Sequence, residues 1–157
     1  MKIKKTIIIL FAIGIILALS GCTQAEPIAQ EEMEPESKNE MIDVSMEIEK
    51  NDDNSFTVMS NLPDGTELIL ALTGPDYIAQ DKVYLYDGKA KSATFTSYGE
   101  RVPNGEYTVR VTMPVANAQS SSVKAIIGNN GENLRGDIVE SFCGSIIVEK
   151  EFVVNID

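Results

Sequence analysis

From Ile42 onward the chain alternates apolar and polar residues with a period of two. Ile42, Val44, Met46 and Ile48 interleave with Asp43, Ser45, Glu47 and Glu49, which places one set of side chains on a buried sheet face and the other in water. Asn51-Asp52-Asp53-Asn54 supplies turn formers and Phe56-Thr57-Val58-Met59 resumes the strand, so a hairpin is expected. Pro63-Asp64-Gly65 makes a second turn. Leu68 to Leu72 is apolar on both faces, the pattern of a central strand, and Gly74-Pro75-Asp76 ends it. Val83 to Tyr86 and Ala93 to Thr96 flank Asp87-Gly88, whose two positions tolerate positive φ, and this predicts a tight hairpin. After Pro103-Asn104-Gly105, the residues Tyr107, Val109 and Val111 mark the core face of another strand. The final strand, Ile146 to Ile156, keeps Ile146, Val148, Phe152, Val154 and Ile156 on one face, with Glu149, Glu151 and Asn155 outward. Lys150 interrupts the apolar face, which predicts a bulge or an edge position there.

About seven strands at short spacing predict an all-β fold, a single β-sandwich over residues 44–157. One segment departs from period two. Gln119 to Gly128 reads as a short helix before the last strand: Ser120 caps it, Val123, Ile126 and Ile127 form an apolar stripe, and Gly128 stands at its C-terminus. That stripe is expected to plug one end of the sandwich. Val102 to Val111 resembles the Pro-x-Gly-x-Tyr-x-x-x-Val turn and strand of immunoglobulin-like and transthyretin-like modules, and the resemblance implies an immunoglobulin-like sandwich. The cysteine pair and core tryptophan of antibody-type domains are absent. Asn61 to Leu68 is similar to a segment of exported proteins from low-GC Gram-positive bacteria, for which no function transfers.

The first 22 residues have a different character. Lys2, Lys4 and Lys5 precede an uncharged apolar run from Ile7 to Leu19, which has the length of a secretory signal core and is short for a membrane span. Leu19-Ser20-Gly21-Cys22 resembles the lipobox of bacterial lipoproteins. The resemblance implies cleavage after Gly21 and a diacylglyceryl group on Cys22, so residues 1–21 are expected to be a signal peptide. Two acyl chains suffice for stable anchoring where one does not. Residues 22–43 follow as the lipidated cysteine and an acidic tether. Seven acids stand against Lys38 alone, with Pro27 and Pro35 interrupting, and such a segment has too little apolar surface to offset the entropy of ordering.

Composition narrows the chemistry. The 157 residues carry a net charge of −11, with two cysteines and no histidine or tryptophan. Without histidine, Ser-His-Asp and Cys-His nucleophile arrangements and imidazole zinc sites are excluded, and two cysteines cannot supply four thiolates. No cofactor and no metal site is expected. Acidic residues gather in turns, where Asp52-Asp53, Asp76 with Asp81, and Glu132 with Asp137 show no spacing specific to calcium binding or glycoside hydrolysis. Cys143 reads as a buried free thiol, since its only potential partner, Cys22, is acylated.

The candidate binding loop is Gly128, Asn129, Asn130, Gly131, Glu132, Asn133 and Arg135. With Ile126, Ile127 and Leu134 it resembles the Ile-Gly-x-x-Gly-x-x-Leu core of RNA-binding KH domains. Export, the excess of negative charge and the single arginine all oppose nucleic acid as a partner. A glycine-rich nest could instead offer backbone N–H groups to a small anion or carboxylate. The expected function is a non-catalytic, lipid-anchored binding or interaction module on the extracytoplasmic face of a bacterial cell membrane. Its partners would be the membrane through the lipid and an envelope protein or wall component. The alternatives are a surface inhibitor or exclusion factor acting through residues 114–144, or a carboxylate-based envelope hydrolase.

Overall fold

The computed structural model describes residues 40–157. The signal segment, Cys22 and the acidic stretch through residue 39 lie outside the described residues. In chain order the elements are β1 (Ile42–Asp43), β2 (Met46–Lys50), β3 (Phe56–Ser60), β4 (Glu67–Gly74), β5 (Tyr77–Tyr84), β6 (Lys89–Lys91), β7 (Thr96–Ser97), β8 (Glu100–Arg101), β9 (Gly105–Met113), α1 (Ser121–Ile127), β10 (Leu134–Arg135), β11 (Val139–Phe142) and β12 (Ser145–Ile156). The fold is all-β with one short helix ahead of the last strands. Two sheets carry the core, a five-stranded antiparallel one in the order β11-β12-β9-β4-β5 and a three-stranded one in the order β2-β3-β6.

Period-two alternation explains the packing. Leu68, Leu70 and Leu72 on β4 and Tyr107, Val109, Val111 and Met113 on β9 turn inward. They meet Met46, Phe56 and Val58 from the smaller sheet in one buried cluster. Each of these side chains contributes about 1.5–3 kcal/mol by leaving water. β4 is central as its pattern required, with β9 and β5 on either side. Ile69 and Ala71 lie half-buried on the open outer face of the sheet. At the start of β9 the Tyr107 hydroxyl donates to the Pro103 carbonyl at 2.9 Å, pinning the turn that feeds the strand.

The helix begins where expected, with the Ser120 hydroxyl accepting from the Val123 N–H at 3.3 Å. Val123 and Ile127 are buried, but Ile126 is 50% exposed, because seven residues present only two positions squarely to the core. Ala116, Val123, Ile127 and Leu134 all enter the core, so the first part of the segment from Pro114 to Gly144 lies folded against the sandwich, while residues 135–144 are mostly exposed and end in the β11–β12 hairpin.

Three strand expectations change. Asp87 and Gly88 do form a tight turn, with φ of 53° and 72° and Tyr86 paired to Lys89. The strand before the turn starts at Tyr77 and belongs to the larger sheet, while the one after it, β6, joins β3, so the turn carries the chain between sheets. Ala93 to Phe95 is not a strand and Thr96 opens the short β7: the backbone here runs past β5, tied by the Ala93 N–H to the Asp81 carboxylate at 2.7 Å and by the Tyr77 hydroxyl to the Thr96 carbonyl at 3.1 Å. At the other end of the domain, Ile42 and Asp43 pair in parallel with Leu134 and Arg135. Among the described residues, strand structure therefore starts at Ile42, ahead of the expected boundary at 44.

Candidate functional site

Lys150 leads to a concavity between the two sheets. It shares the inward parity of Val148 and Phe152, and β12 pairs with β9 without interruption from Val148 to Ile156, so no bulge accommodates it. Its position is instead at an edge. β11 covers β12 only from Ser145 to Val148, and the far side of β12 is unpaired beyond Glu149. The lysine stem runs outward, its ammonium donating to the Met46 carbonyl at 2.7 Å and lying 5.1 Å from the Phe152 ring centroid. A buried charge is avoided by reaching the rim.

This contact spans a seam between the two sheets. β2 is the outermost strand of the smaller sheet, and the seam widens into a groove of about 590 Å³ whose lining includes Asp43, Val44, Met46, Glu47, Asp137 and Ile138 as well as Lys150. Backbone direction can be read on both walls. The Met46 carbonyl points to Lys150, away from β3, so by the period of an antiparallel ladder Ile48 and Lys50 also aim their N–H and C=O groups off the free edge. Across the seam, the Glu149 N–H reaches the Ile138 carbonyl at 3.0 Å, so Glu151, Val153 and Asn155 face the free edge of β12. The rim is acidic. Asp43 lies 3.7 Å from Arg135, with both groups well exposed, while Glu47 and Asp137 have no ion-pair partner among the described residues.

The glycine loop is organised differently from the open nest the sequence suggested. The nest exists, and it is filled from within. The Glu132 carboxylate accepts the Asn130 N–H at 2.7 Å, and its pKa is held below the ordinary value of 4.5 by the N–H groups of Glu132 itself, Asn130, Asn129 and Gly131. The side chain curls over Gly128, whose φ of 91° leaves room for it only because no Cβ is present. Gly131 is buried against Ile146 and Ala116. Asn133 is buried too, donating from its amide to the Ile126 carbonyl at 2.8 Å and from its N–H to the Ile127 carbonyl at 2.9 Å. Asn129 and Asn130 are exposed, but the Asn130 carbonyl accepts the Ile146 N–H at 2.8 Å. Arg135 belongs to β10 and sits near the groove, not in the nest. The loop thus joins α1, β1 and β12, and Glu132 occupies the centre of its backbone nest. It also runs on into β10 and β11, where the KH resemblance would require a helix.

Cys143 is exposed, which corrects its assignment to the core. It and Gly144, at φ of 48° and 79°, are the two residues of the β11–β12 turn, which leaves the cysteine side chain in solvent. Leu19, Ser20, Gly21 and Cys22 lie outside the described residues. On the open face of the larger sheet, a smaller hollow of about 380 Å³ lies over Ala71 and Thr108, with Arg110 bound to Glu151 at its side. The groove residues Asp43, Glu47 and Ile138 were not singled out by sequence, and Asp137 figured there only as a turn acid, since they converge only through tertiary structure; Lys150, out of place on an apolar face, was the available signal. No protein-family model, curated protein or solved structure matches this chain.

Proposed function

We propose that the protein is a lipid-anchored, extracytoplasmic binding module of a bacterial cell envelope. Cys22 carries the diacylglyceryl group, the acidic residues up to the start of β1 act as a spacer, and the sandwich binds its partner without catalysing a reaction. The anchor reading is supported by the order Leu19-Ser20-Gly21-Cys22 behind a charge-free apolar run. An immunoglobulin-like assignment is supported by β2-β3-β6 lying opposite β12-β9-β4, with the Tyr107 hydroxyl closed back on Pro103. The binding reading is carried by one observation, the groove that lies along the start of the unpaired β2 edge, because exposed edges are ready-made templates for pairing with another chain.

Metabolic labelling with radioactive palmitate tests the anchor. The wild-type chain should take up label and sediment with membranes, and Cys22→Ser should lose the label. Label retained by Cys22→Ser, or absent from the wild type, would refute the anchor.

A further inference from the structure

We infer that the seam groove binds an extended, lysine- or arginine-bearing peptide segment of a partner protein, which adds as a strand along β2. The inference deepens the binding reading and does not depend on lipidation. Three features carry it. The first is hydrogen-bonding capacity: Met46, Ile48 and Lys50 present backbone groups to the seam, and the Met46 carbonyl is occupied only by a flexible lysine that a strand N–H can displace. The second is shape, since the groove is bounded by the β1–β2 connection on one side and the segment before β11 on the other, with half-buried Ile138 as its accessible apolar surface and the core residues Val44 and Met46 beneath it. Alternate side chains of an added strand would enter this surface while the others face water.

The third is charge. Asp43, Glu47 and Asp137 on the rim outweigh Lys150 and the Arg135 paired with Asp43, and the described residues contain 19 acids against 9 bases. Lysine or arginine on the solvent-facing positions of the incoming strand would meet these carboxylates, whereas an acidic segment, including this chain's own residues 23–41, would be repelled.

The test uses the full chain in detergent and pools of peptides about nine residues long, with lysine at alternate positions and random residues between. Binding is read by fluorescence anisotropy and mapped by amide chemical shifts. The lysine pool should bind saturably and about tenfold more tightly than the matching glutamate pool. The preference should shrink at high salt, and the shifts should centre on Met46, Ile48 and Lys50. N-methylation of alternate peptide nitrogens leaves the charge intact and should abolish binding. Equal binding of the methylated pool would reduce the effect to charge and overturn strand addition. So would shifts centred on the hollow over Ala71, no binding up to about 1 mM, or concentration-dependent dimerisation that occupies the same amides with a second copy. Palmitate labelling is a separate readout, so failure of the groove and failure of the anchor are distinguishable.

Discussion

Two glycines at nearly the same backbone angle separate conformational strain from packing. Gly131 has φ of 86° and Gly144 has φ of 79°, so alanine at either site must adopt the left-handed region, at a cost of about 1–2 kcal/mol. Their surroundings differ. A Cβ on Gly144 meets nothing within 4 Å, while one on Gly131 lies 2.6 Å from the Ile146 Cβ and 2.9 Å from the Ala116 Cβ. Those atoms are fixed to their own backbones and cannot rotate away, so β12 or the loop must move, adding about 1–3 kcal/mol. Gly131→Ala should therefore destabilise by about 2–5 kcal/mol and Gly144→Ala by about 1–2 kcal/mol. The gain from a less flexible unfolded chain is common to both and cancels in the comparison. Urea denaturation measures the difference as the midpoint shift multiplied by a common m-value. A Gly131→Ala penalty no larger than that of Gly144→Ala would refute the packing of the loop against β12.

Tyr107→Phe removes the hydroxyl that closes on Pro103 and should cost about 0.5–1.5 kcal/mol in the same assay, with the native fold retained. Stability should fall as acid approaches and passes pH 4.5. The folded-state pKa of Glu132 is depressed by backbone N–H groups and that of Asp53 by the Ser55 hydroxyl and N–H. Their contribution is complete above the unfolded values and is lost as pH falls through the folded ones. Glu132→Gln should flatten that decline, which melting curves across the acid range will record. Cys143 should react with a thiol reagent in the native protein at a rate near that of a free thiol, and Cys143→Ser should remove the reaction.

Strands with strict alternation were legible from sequence because burial on one face leaves its signature locally: β2, β4, β9 and most of β12 followed their apolar residues. The helix followed from Ser120 and Gly128, whose capping roles are also local. β5 was found only at its C-terminal end, since Ala79 and Asp81 occupy half-buried positions without an apolar pattern. β11 escaped notice because its residues stay mostly exposed and only pairing with β12 makes them a strand. The loop misled for the opposite reason. Its glycines suggested an empty nest, and the occupant was Glu132, a member of the same loop. Cys143 was assigned to the core by residue type, whereas its environment is decided by the hairpin around it. The groove depends on β1, β2, β11 and β12 coming together across more than a hundred residues of chain.

The parallel pairing of β1 with β10 also determines how the domain bears mechanical load. Tension entering from the N-terminal side reaches Ile42 and Val44 first, where two backbone hydrogen bonds of 2.8 Å, to Asn133 and Arg135, resist it. A pull along the strand loads both bonds together in shear, and a pull across it peels them in turn, so the direction of the force decides how firmly the domain grips. Because Asp43 and Val44 also line the groove, yielding of this clasp would dismantle one wall of the seam while the pairing within the larger sheet stayed in place, coupling that site to force on the chain.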